Sequence, residues 1–234
     1  MFQRGHGLIK GLTVGSILIS LMISPVRSAH GADKQSEPVD AFPTDIPKQE
    51  IFFFEEQVVT VEDFPSTGFI LDVGGGGSGI IGRLKGDGVI SIDISRHELE
   101  GAPSGPLKVI MDASDLLFLD NTFLTATSFF TMMYVPGLIH EKVFREIFRV
   151  LKPGGQFLIW DIVVPPCFDL TKPYFAFYLT VKLPEQEVET GYGSRWPDKT
   201  HDLDHYVSLA DTVGFQVACK DTTDKIIYLE LTKP

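Results

Sequence analysis

The chain has 234 residues, of which 44% are hydrophobic, and this length and composition suit a single globular domain with a well-buried core. Its formal net charge is −11 at pH 7. Because nucleic-acid binding depends on lysine and arginine side chains that meet phosphates, this charge argues against RNA or DNA as a partner.

The first 31 residues have the layout of a secretory signal peptide. Two basic residues, Arg4 and Lys10, precede an apolar run over residues 11–23, and Pro25 follows it. The run is shorter than a comfortable membrane span. The leader therefore predicts an exported protein. An uncleaved membrane anchor is one alternative, and a leader without function, which would leave the protein in the cytoplasm, is another.

The rest of the chain predicts a short linker and one α/β domain. Residues 32–50 are polar and contain prolines, as linkers do, and the domain spans residues 51–234. Strand-like and helix-like segments alternate in it, which predicts a doubly wound, mostly parallel sheet with helices on both faces. The predicted strands are 69–73, 89–93, 109–112, 126–130, 156–161, 215–220 and 225–231, and the predicted helices are 80–85, 96–100, 140–151 and 202–213.

A glycine-rich segment follows the first of these strands. After Val73, glycine occupies five of the six positions 74–79. Glycine is retained mainly where φ is positive or where a ligand approaches the backbone closely, so the segment predicts a ligand site. Its spacing matches the dinucleotide fingerprint G-x-G-x-x-G. However, Asp72 stands just before the glycines, where it would repel a pyrophosphate and favour a ligand with a cationic amine.

Two further acids end the neighbouring predicted strands. Asp93 closes the strand at 89–93 and is placed to accept both hydroxyls of a ribose in either class of ligand. Asp112 closes the strand at 109–112. Ligands of such sheets bind at the carboxyl ends of the strands, so Asp72, Asp93 and Asp112 are predicted to lie at one site.

A Leu-Lys-Pro-Gly-Gly segment at 151–155 completes a set of motifs with which the chain resembles the class I S-adenosylmethionine-dependent methyltransferases. The resemblance covers about residues 68–161 and is strongest to small bacterial methyltransferase domains. It implies a Rossmann-like sheet of seven strands with an antiparallel edge strand, and S-adenosylmethionine as cofactor. The cofactor-binding residues that it implies are Asp72, Gly74, Gly75, Gly76, Asp93, Asp112 and Ala113. In one departure, Ser78 stands where the family has glycine, and Gly79 follows one position later, which predicts a wider loop.

A sulfonium donor already makes its methyl group electrophilic. The protein therefore has to align the acceptor, exclude water and, for an oxygen or nitrogen acceptor, remove a proton. Tyr134, just past the fourth strand, and Asp161, at the end of the fifth, are the candidates for contact with the acceptor. His201 and His205 are expected to be solvated, and no grouping of His, Cys and Asp has metal-ligand spacing.

An aromatic insertion, residues 163–199, separates the fifth strand from the last helix. Residues 174–183 have strand-like content, and residues 189–196 look like a turn and return. The insertion either extends the core or covers the acceptor. An acidic protein with an aromatic segment here suits a small, largely apolar or cationic acceptor. Tyr192 and Trp196, or neighbours within residues 174–196, are expected to line or cover its pocket.

The sequence thus predicts a methyltransferase for a small-molecule acceptor, with membrane contact only through the N-terminal segment. An NAD(P)-binding oxidoreductase is an alternative that the glycine spacing favours and Asp72 opposes. A non-catalytic protein that binds S-adenosyl ligands is the other, since export would separate an enzyme from a cofactor made in the cytoplasm. The oligomeric state and the identity of the acceptor stay open.

Overall fold

The computed structural model describes residues 46–197 and 199–234, so the predicted leader and most of the predicted linker lie outside the described residues. Eleven strands and four α-helices are present in this part of the chain. The strands are β1 (Ile51–Phe53), β2 (Gln57–Thr60), β3 (Ile70–Val73), β4 (Val89–Asp93), β5 (Leu107–Ile110), β6 (Phe123–Phe129), β7 (Leu151–Ile162), β8 (Tyr174–Lys182), β9 (Glu187–Arg195), β10 (Gln216–Thr223) and β11 (Ile226–Thr232). The helices are α1 (Ile80–Lys85), α2 (Arg96–Gly101), α3 (Gly137–Val150) and α4 (Leu203–Val213).

Seven strands form the central sheet, in the order β10-β11-β7-β6-β3-β4-β5. The five strands from β7 to β5 are parallel to one another, and β11 runs antiparallel to both β7 and β10. This order confirms the predicted mostly parallel sheet of seven strands with an antiparallel edge, although the strand that runs antiparallel, β11, is second from that edge. After β3 the chain proceeds outward to β5 and then crosses back to β6 on the other side of β3. The carboxyl end of β3 is therefore the switch point at which such sheets bind ligands.

One face of this sheet is covered by α3 and α4. The helix α3 places Val143, Phe144 and Ile147 on the sheet, where they are fully or almost fully buried. In α4 the buried residues are Tyr206 and Ala210. Apolar positions at this helical spacing form a single stripe, so both helices bury one side against the sheet and leave the other to solvent.

The opposite face is covered by α1 and by a second, four-stranded sheet. In this small sheet β8 is central, β9 pairs antiparallel with one edge, and β1 and β2 pair in parallel with successive stretches of the other edge. Alternate residues of β8, Phe175, Phe177, Leu179 and Val181, point into the core beneath it. The aromatic insertion and the segment just before the central sheet are therefore one structural unit.

Several predicted boundaries differ from the structure, and two of them concern residues of the predicted motifs. The third strand of the central sheet ends at Ile110, so Asp112 lies two residues past it and in a turn. The fifth begins at Leu151, because this residue already pairs with Phe123. The pairing then jumps to Gln156, so the Lys-Pro-Gly-Gly segment is an irregular start of β7 rather than a turn before it.

Within residues 46–197 and 199–234, no helix is long and apolar enough to cross a membrane. The two cysteines, Cys167 and Cys219, are both free.

Candidate active site

The glycine loop, residues 74–79, joins β3 to α1 at the carboxyl edge of the central sheet. Gly74 has φ +73°, and a Cβ atom there would overlap the side chain of Thr131 at the end of β6. A Cβ atom on Gly76 would lie 2.5 Å from Cβ of Glu98 and 2.7 Å from a carboxylate oxygen of Asp93. The loop is thus held between the end of β6 and the first turn of α2, and only glycine fits at these two positions.

Backbone hydrogen bonds tie the same loop to its neighbours. The N–H groups of Gly74 and Gly75 both donate to the carbonyl of Ile92 in β4, at 2.8 and 3.0 Å. Gly77 donates to the carbonyl of Glu98 in α2 at 3.0 Å. Ser78, the residue that departs from the family pattern, lies on the outer turn of the loop, and its hydroxyl is 2.9 Å from that of Tyr192.

Asp72, in β3, is 2% exposed and lies directly beneath the loop. The hydroxyl of Thr127 donates to its Oδ1 atom at 2.8 Å. Burial raises the pKa of Asp72 to about 7, against the effect of the Thr127 hydrogen bond, and the negative charge of Asp93 adds to the rise. Its other oxygen is directed at Gly75, where a Cβ atom would collide with it.

Asp93 ends β4 on the far side of the loop. Its Oδ1 atom accepts the N–H of Ser95 at 2.9 Å. Burial raises the pKa of Asp93 to about 6, in spite of the Ser95 hydrogen bond, and nearby Glu98 contributes to the rise. No lysine or arginine of the described residues forms an ion pair with Asp72 or Asp93. The structure therefore places two acids beside the loop without a neutralising cation.

Tyr192 brings the small sheet into contact with the loop. Besides its contact with Ser78, its ring stacks against Phe130 and Phe177, with centroids 5.1 and 5.8 Å away. Phe130 follows β6 and has φ +51°. Residues other than glycine rarely adopt this backbone conformation, and it is often found at functional sites. Burial raises the pKa of Tyr192 above its usual range, so its phenol stays protonated at neutral pH.

Tyr134 lies beside this contact, in a 3-10 turn after β6. Its hydroxyl accepts the N–H of Gly193 at 3.4 Å, next to Tyr192 in β9. Burial raises the pKa of Tyr134, and the neighbouring charges of Glu98 and Asp161 act in the same direction. Tyr134 is thus a neutral phenol at the junction between the two sheets, and its role in contacting an acceptor stays a prediction.

Asp112 and Ala113 lie at the same edge of the sheet, next to Asp93, because the N–H of Met111 donates to the carbonyl of Asp93. Asp112 is exposed, and its carboxylate accepts the N–H of Ser114 at 2.7 Å. This hydrogen bond, from the N–H two residues further on to the aspartate side chain, forms an ordinary Asx turn. The structure therefore accounts for Asp112 without a ligand, and the predicted cofactor role of both residues stays a prediction.

Trp196 does not share the position of Tyr192. It is fully buried, its indole N–H donates to the carbonyl of Pro165 at 2.8 Å, and its ring packs against Phe54 and Phe168. The expectation that Trp196 lines the acceptor pocket is wrong, because this side chain fills the core of the small sheet.

Asp161, at the end of β7, is fully buried. Its carboxylate accepts the N–H of Met133 at 3.2 Å, the hydroxyl of Tyr206 at 3.1 Å and the N–H of Ile162 at 2.8 Å. Burial raises the pKa of Asp161 to about 7. These contacts make Asp161 a brace between the end of β6 and α4, and within residues 46–197 and 199–234 it forms no hydrogen bond or ion pair with the glycine loop.

The two histidines expected to be solvated are not. His201 is 3% exposed, and His205 is half-buried with its Nε2 atom 2.8 Å from Nδ1 of His140. Burial lowers the pKa of His201 to about 3 and that of His140 to about 4. No three His, Cys, Asp or Glu residues in the described part of the chain are placed to hold a metal ion.

Sequence reasoning missed Glu98 and the contact of Ser78 with Tyr192. Glu98 follows Ser95 in the pattern Ser-x-x-Glu, which is the signature of a helix cap and points to no ligand. The Ser78 contact joins residues 114 positions apart, and neither residue belongs to a motif that predicts the pairing.

The sheet order, the glycine loop at the switch point and the acid at the end of the next strand are those of the Rossmann-like methyltransferase fold. Residues 71–159 of the chain match the family described as methyltransferase domain. A solved S-adenosylmethionine-dependent methyltransferase from Methanosarcina mazei has the same fold, with a TM-score of 0.54 and 20% identity over 73% of this chain and 94% of that chain.

Two curated relatives are similar over part of the chain. The ubiquinone/menaquinone biosynthesis C-methyltransferase UbiE of Desulfotalea psychrophila is 31% identical over 54% of this chain and 54% of its own length. Sterol methyltransferase-like 3 of Botryococcus braunii is 33% identical over 43% of this chain and 28% of its own length. The chain thus spans about half or less of the length of these relatives.

Proposed function

We propose that this protein transfers a methyl group from S-adenosylmethionine to a small, largely apolar acceptor. The observation that carries the proposal is the charge around the glycine loop. Asp72 lies beneath the loop and Asp93 beside it, and no lysine or arginine of the described residues pairs with either carboxyl group. A cationic nucleoside fits these groups, because its hydroxyls need an acceptor and its positive charge relieves their repulsion.

A dinucleotide fits the same residues less well. Its pyrophosphate would lie against a loop flanked by Asp72 and Asp93, where like charges repel. The N–H groups of Gly74 and Gly75, which would have to bind it, are already committed to the carbonyl of Ile92. The antiparallel β11 between β7 and β10 also differs from the all-parallel order of a dinucleotide-binding sheet.

Once bound, S-adenosylmethionine supplies a methyl group made electrophilic by a positively charged sulfur. The residues of this chain then have three tasks. Gly74 and Gly76 keep the loop closely packed on its neighbours, and Asp93 accepts hydrogen bonds from the ribose of the donor. Tyr192 and Tyr134 close the junction between the sheets against water, and as neutral phenols they orient a polar group of the acceptor by hydrogen bonding.

The class of acceptor follows from the aromatic side chains on that junction. Phe130, Phe177 and Tyr192 form one stack, in which Phe130 and Phe177 are buried and Tyr192 is partly exposed. The ring of Tyr192 therefore presents apolar surface beside the glycine loop. Two relatives are named for ubiquinone and menaquinone biosynthesis and for sterols, which are apolar ring compounds. Both observations support an apolar ring-bearing acceptor over a polyanion.

The test has two stages. Calorimetry on the full chain should detect binding of S-adenosylmethionine and S-adenosylhomocysteine, and NADH should not compete with either. The chain is then incubated with S-adenosylmethionine carrying a labelled methyl group and with a quinol, a sterol, a phenol or an oligonucleotide. We expect label in the organic extract of at least one ring compound and none in the oligonucleotide. Competition by NADH would favour the oxidoreductase, and binding without transfer would favour a non-catalytic protein.

A further inference from the structure

The first turn of α2 has an acid that the helix does not use. Ser95 caps the helix, its side chain accepting the N–H of Glu98 at 3.3 Å. In the reciprocal form of this cap, the glutamate at the third helical position returns a hydrogen bond to the N–H of the capping serine. Here that N–H donates instead to Asp93, at 2.9 Å. The carboxylate of Glu98 therefore has no capping function.

This carboxylate points to the glycine loop instead. The backbone carbonyl of Glu98 accepts the N–H of Gly77, and its Oε2 atom would be 2.8 Å from a Cβ atom on Gly77. It makes no side-chain hydrogen bond and no ion pair with residues in the described part of the chain. It also lies close enough to Asp93 for the two charges to repel.

Glu98 is partly exposed to solvent and lies near Asp93, so a cation that approaches this side of the loop is attracted by both charges. Three neighbouring side chains supply this negative charge: Asp72 beneath the loop, Asp93 at the end of β4, and Glu98 above Gly77. Asp72 and Asp93 stand at positions that the family motifs already explain. Glu98 stands at no such position, so its charge calls for a separate reason.

We propose that Glu98 is a specificity residue that favours the positively charged methyl donor over its neutral thioether product. The inference rests on the proposed function. S-adenosylmethionine carries one more positive charge than S-adenosylhomocysteine, because the sulfur keeps the electron pair of the broken S–C bond when the methyl group leaves. A carboxylate beside the loop attracts the donor and loses that attraction after transfer, so it strengthens donor binding with no matching gain in product binding.

The experiment compares binding of the two ligands to the full chain and to two variants. Glu98→Gln removes the charge, keeps the side-chain length and suits the third position of a capped helix. Glu100→Gln is the matched control, since Glu100 is exposed on the same helix and pairs with Arg96. By calorimetry, Glu98→Gln should weaken binding of S-adenosylmethionine about tenfold and that of S-adenosylhomocysteine by less than about twofold. Glu100→Gln should change neither by more than about twofold.

Thermal unfolding shows whether Glu98→Gln keeps the fold. The salt dependence of binding is a second test, and it uses the unmodified chain. The preference of the unmodified chain for the donor over the product should fall as the salt concentration is raised, because salt screens the carboxylate. Equal weakening of both ligands, or no weakening, overturns the role of Glu98 and leaves the proposed function standing. If the unmodified chain binds neither ligand, the proposed function fails and this inference fails with it.

Discussion

Asp93 has two roles in the structure, because it holds the start of α2 as well as facing the glycine loop. Its Oδ1 atom accepts the N–H of Ser95, and its other oxygen lies against Gly76. We predict that Asp93→Ala weakens S-adenosylmethionine binding by about 2 kcal/mol or more, since a charged acceptor for ribose hydroxyls is lost. Calorimetry measures the affinity, and Asp87→Ala, at an exposed site before the same strand, is the control. Unchanged affinity in Asp93→Ala would show that the cofactor does not bind at Asp93.

The acids of the site differ in how far the sequence predicts them. Asp72 and Asp93 are predictable because each stands at or next to the end of an apolar strand, and the carboxyl ends of parallel strands share an edge. Glu98 is not, because its spacing from Ser95 is that of a helix cap. Either Asp93 or Glu98 could accept the N–H of Ser95. The structure shows that Asp93 does, because the packing of α2 against β4 brings its carboxylate within 2.9 Å of that nitrogen.

Asp161 gives a pH prediction of known sign. Its pKa is raised from an ordinary 3.8 to about 7 by burial, so the folded protein holds this proton more tightly than the unfolded chain does. The resulting stabilisation is complete below about pH 4 and is lost as the pH rises through about 7. The Asp161→Asn variant has no such pH-dependent loss of stability, because the asparagine amide does not ionise. Relative to the parent, the variant should gain on the order of 3 kcal/mol in free energy of unfolding between pH 5 and pH 8.

Urea unfolding at pH 5, 6, 7 and 8 measures this difference. The buried histidines act in the opposite direction, since their lowered pKa values make stability fall as the pH drops below about 6.5. They are present in both proteins, and His201, whose Nε2 atom lies 3.9 Å from Oδ1 of Asp161, is neutral in the folded state over this pH range. The contribution of the histidines therefore largely cancels in the comparison. Asp211→Asn, at an exposed site on α4, is the control. A difference between parent and Asp161→Asn that stays constant with pH would contradict the buried, protonated state of Asp161.

The aromatic hairpin of β8 and β9 fills part of the core and also contacts the glycine loop, and the sequence does not show which residue does which. The alternation over residues 174–183 predicts a strand, and the structure has β8 at Tyr174–Lys182. Its partners β1 and β2 are more than 100 residues away in the chain and too short to be recognised alone. For the same reason the sequence treats Tyr192 and Trp196 alike. Only the packing shows that Trp196 points into the small sheet and Tyr192 toward the glycine loop.

We predict that these two side chains respond differently to substitution. Trp196→Ala should lower the free energy of unfolding by about 3 to 5 kcal/mol, because it empties a fully buried position. Tyr192→Phe keeps the ring stack and removes only the hydroxyl that contacts Ser78, so it should cost about 1 kcal/mol or less. It should nevertheless change kcat or KM for an identified acceptor. Urea unfolding and steady-state kinetics measure the two effects, and unaltered kinetics in Tyr192→Phe would make the hairpin purely structural.

At the scale of the whole molecule, the sequence predicts the central sheet better than its covering. The strands β3 to β7 can be identified from the glycine loop, the acids at strand ends and the alternation of strand-like and helix-like segments. Each of these patterns lies within a few consecutive residues. The small sheet depends on pairing between residues 51–60 and the insertion, which no local pattern specifies. It is nevertheless part of the main core, since Phe54 and Val59 belong to the same buried cluster as Phe130 and Trp160. β1 begins at Ile51 and follows a 3-10 turn at Lys48–Glu50, and the predicted domain start at residue 51 stays a prediction.

This arrangement sets where the chain can be shortened. Deleting residues 1–31 removes the apolar leader and none of the described strands, so we expect a soluble protein that unfolds cooperatively. Deleting residues 1–60 is the matched comparison, because it also removes β1 and β2 and leaves one edge of β8 unpaired over Phe175 and Leu179. Thermal unfolding should show a single transition in the first variant and a lower or broadened one in the second. If the first variant is insoluble or binds hydrophobic dyes, the leader packs on the domain and contributes to its core.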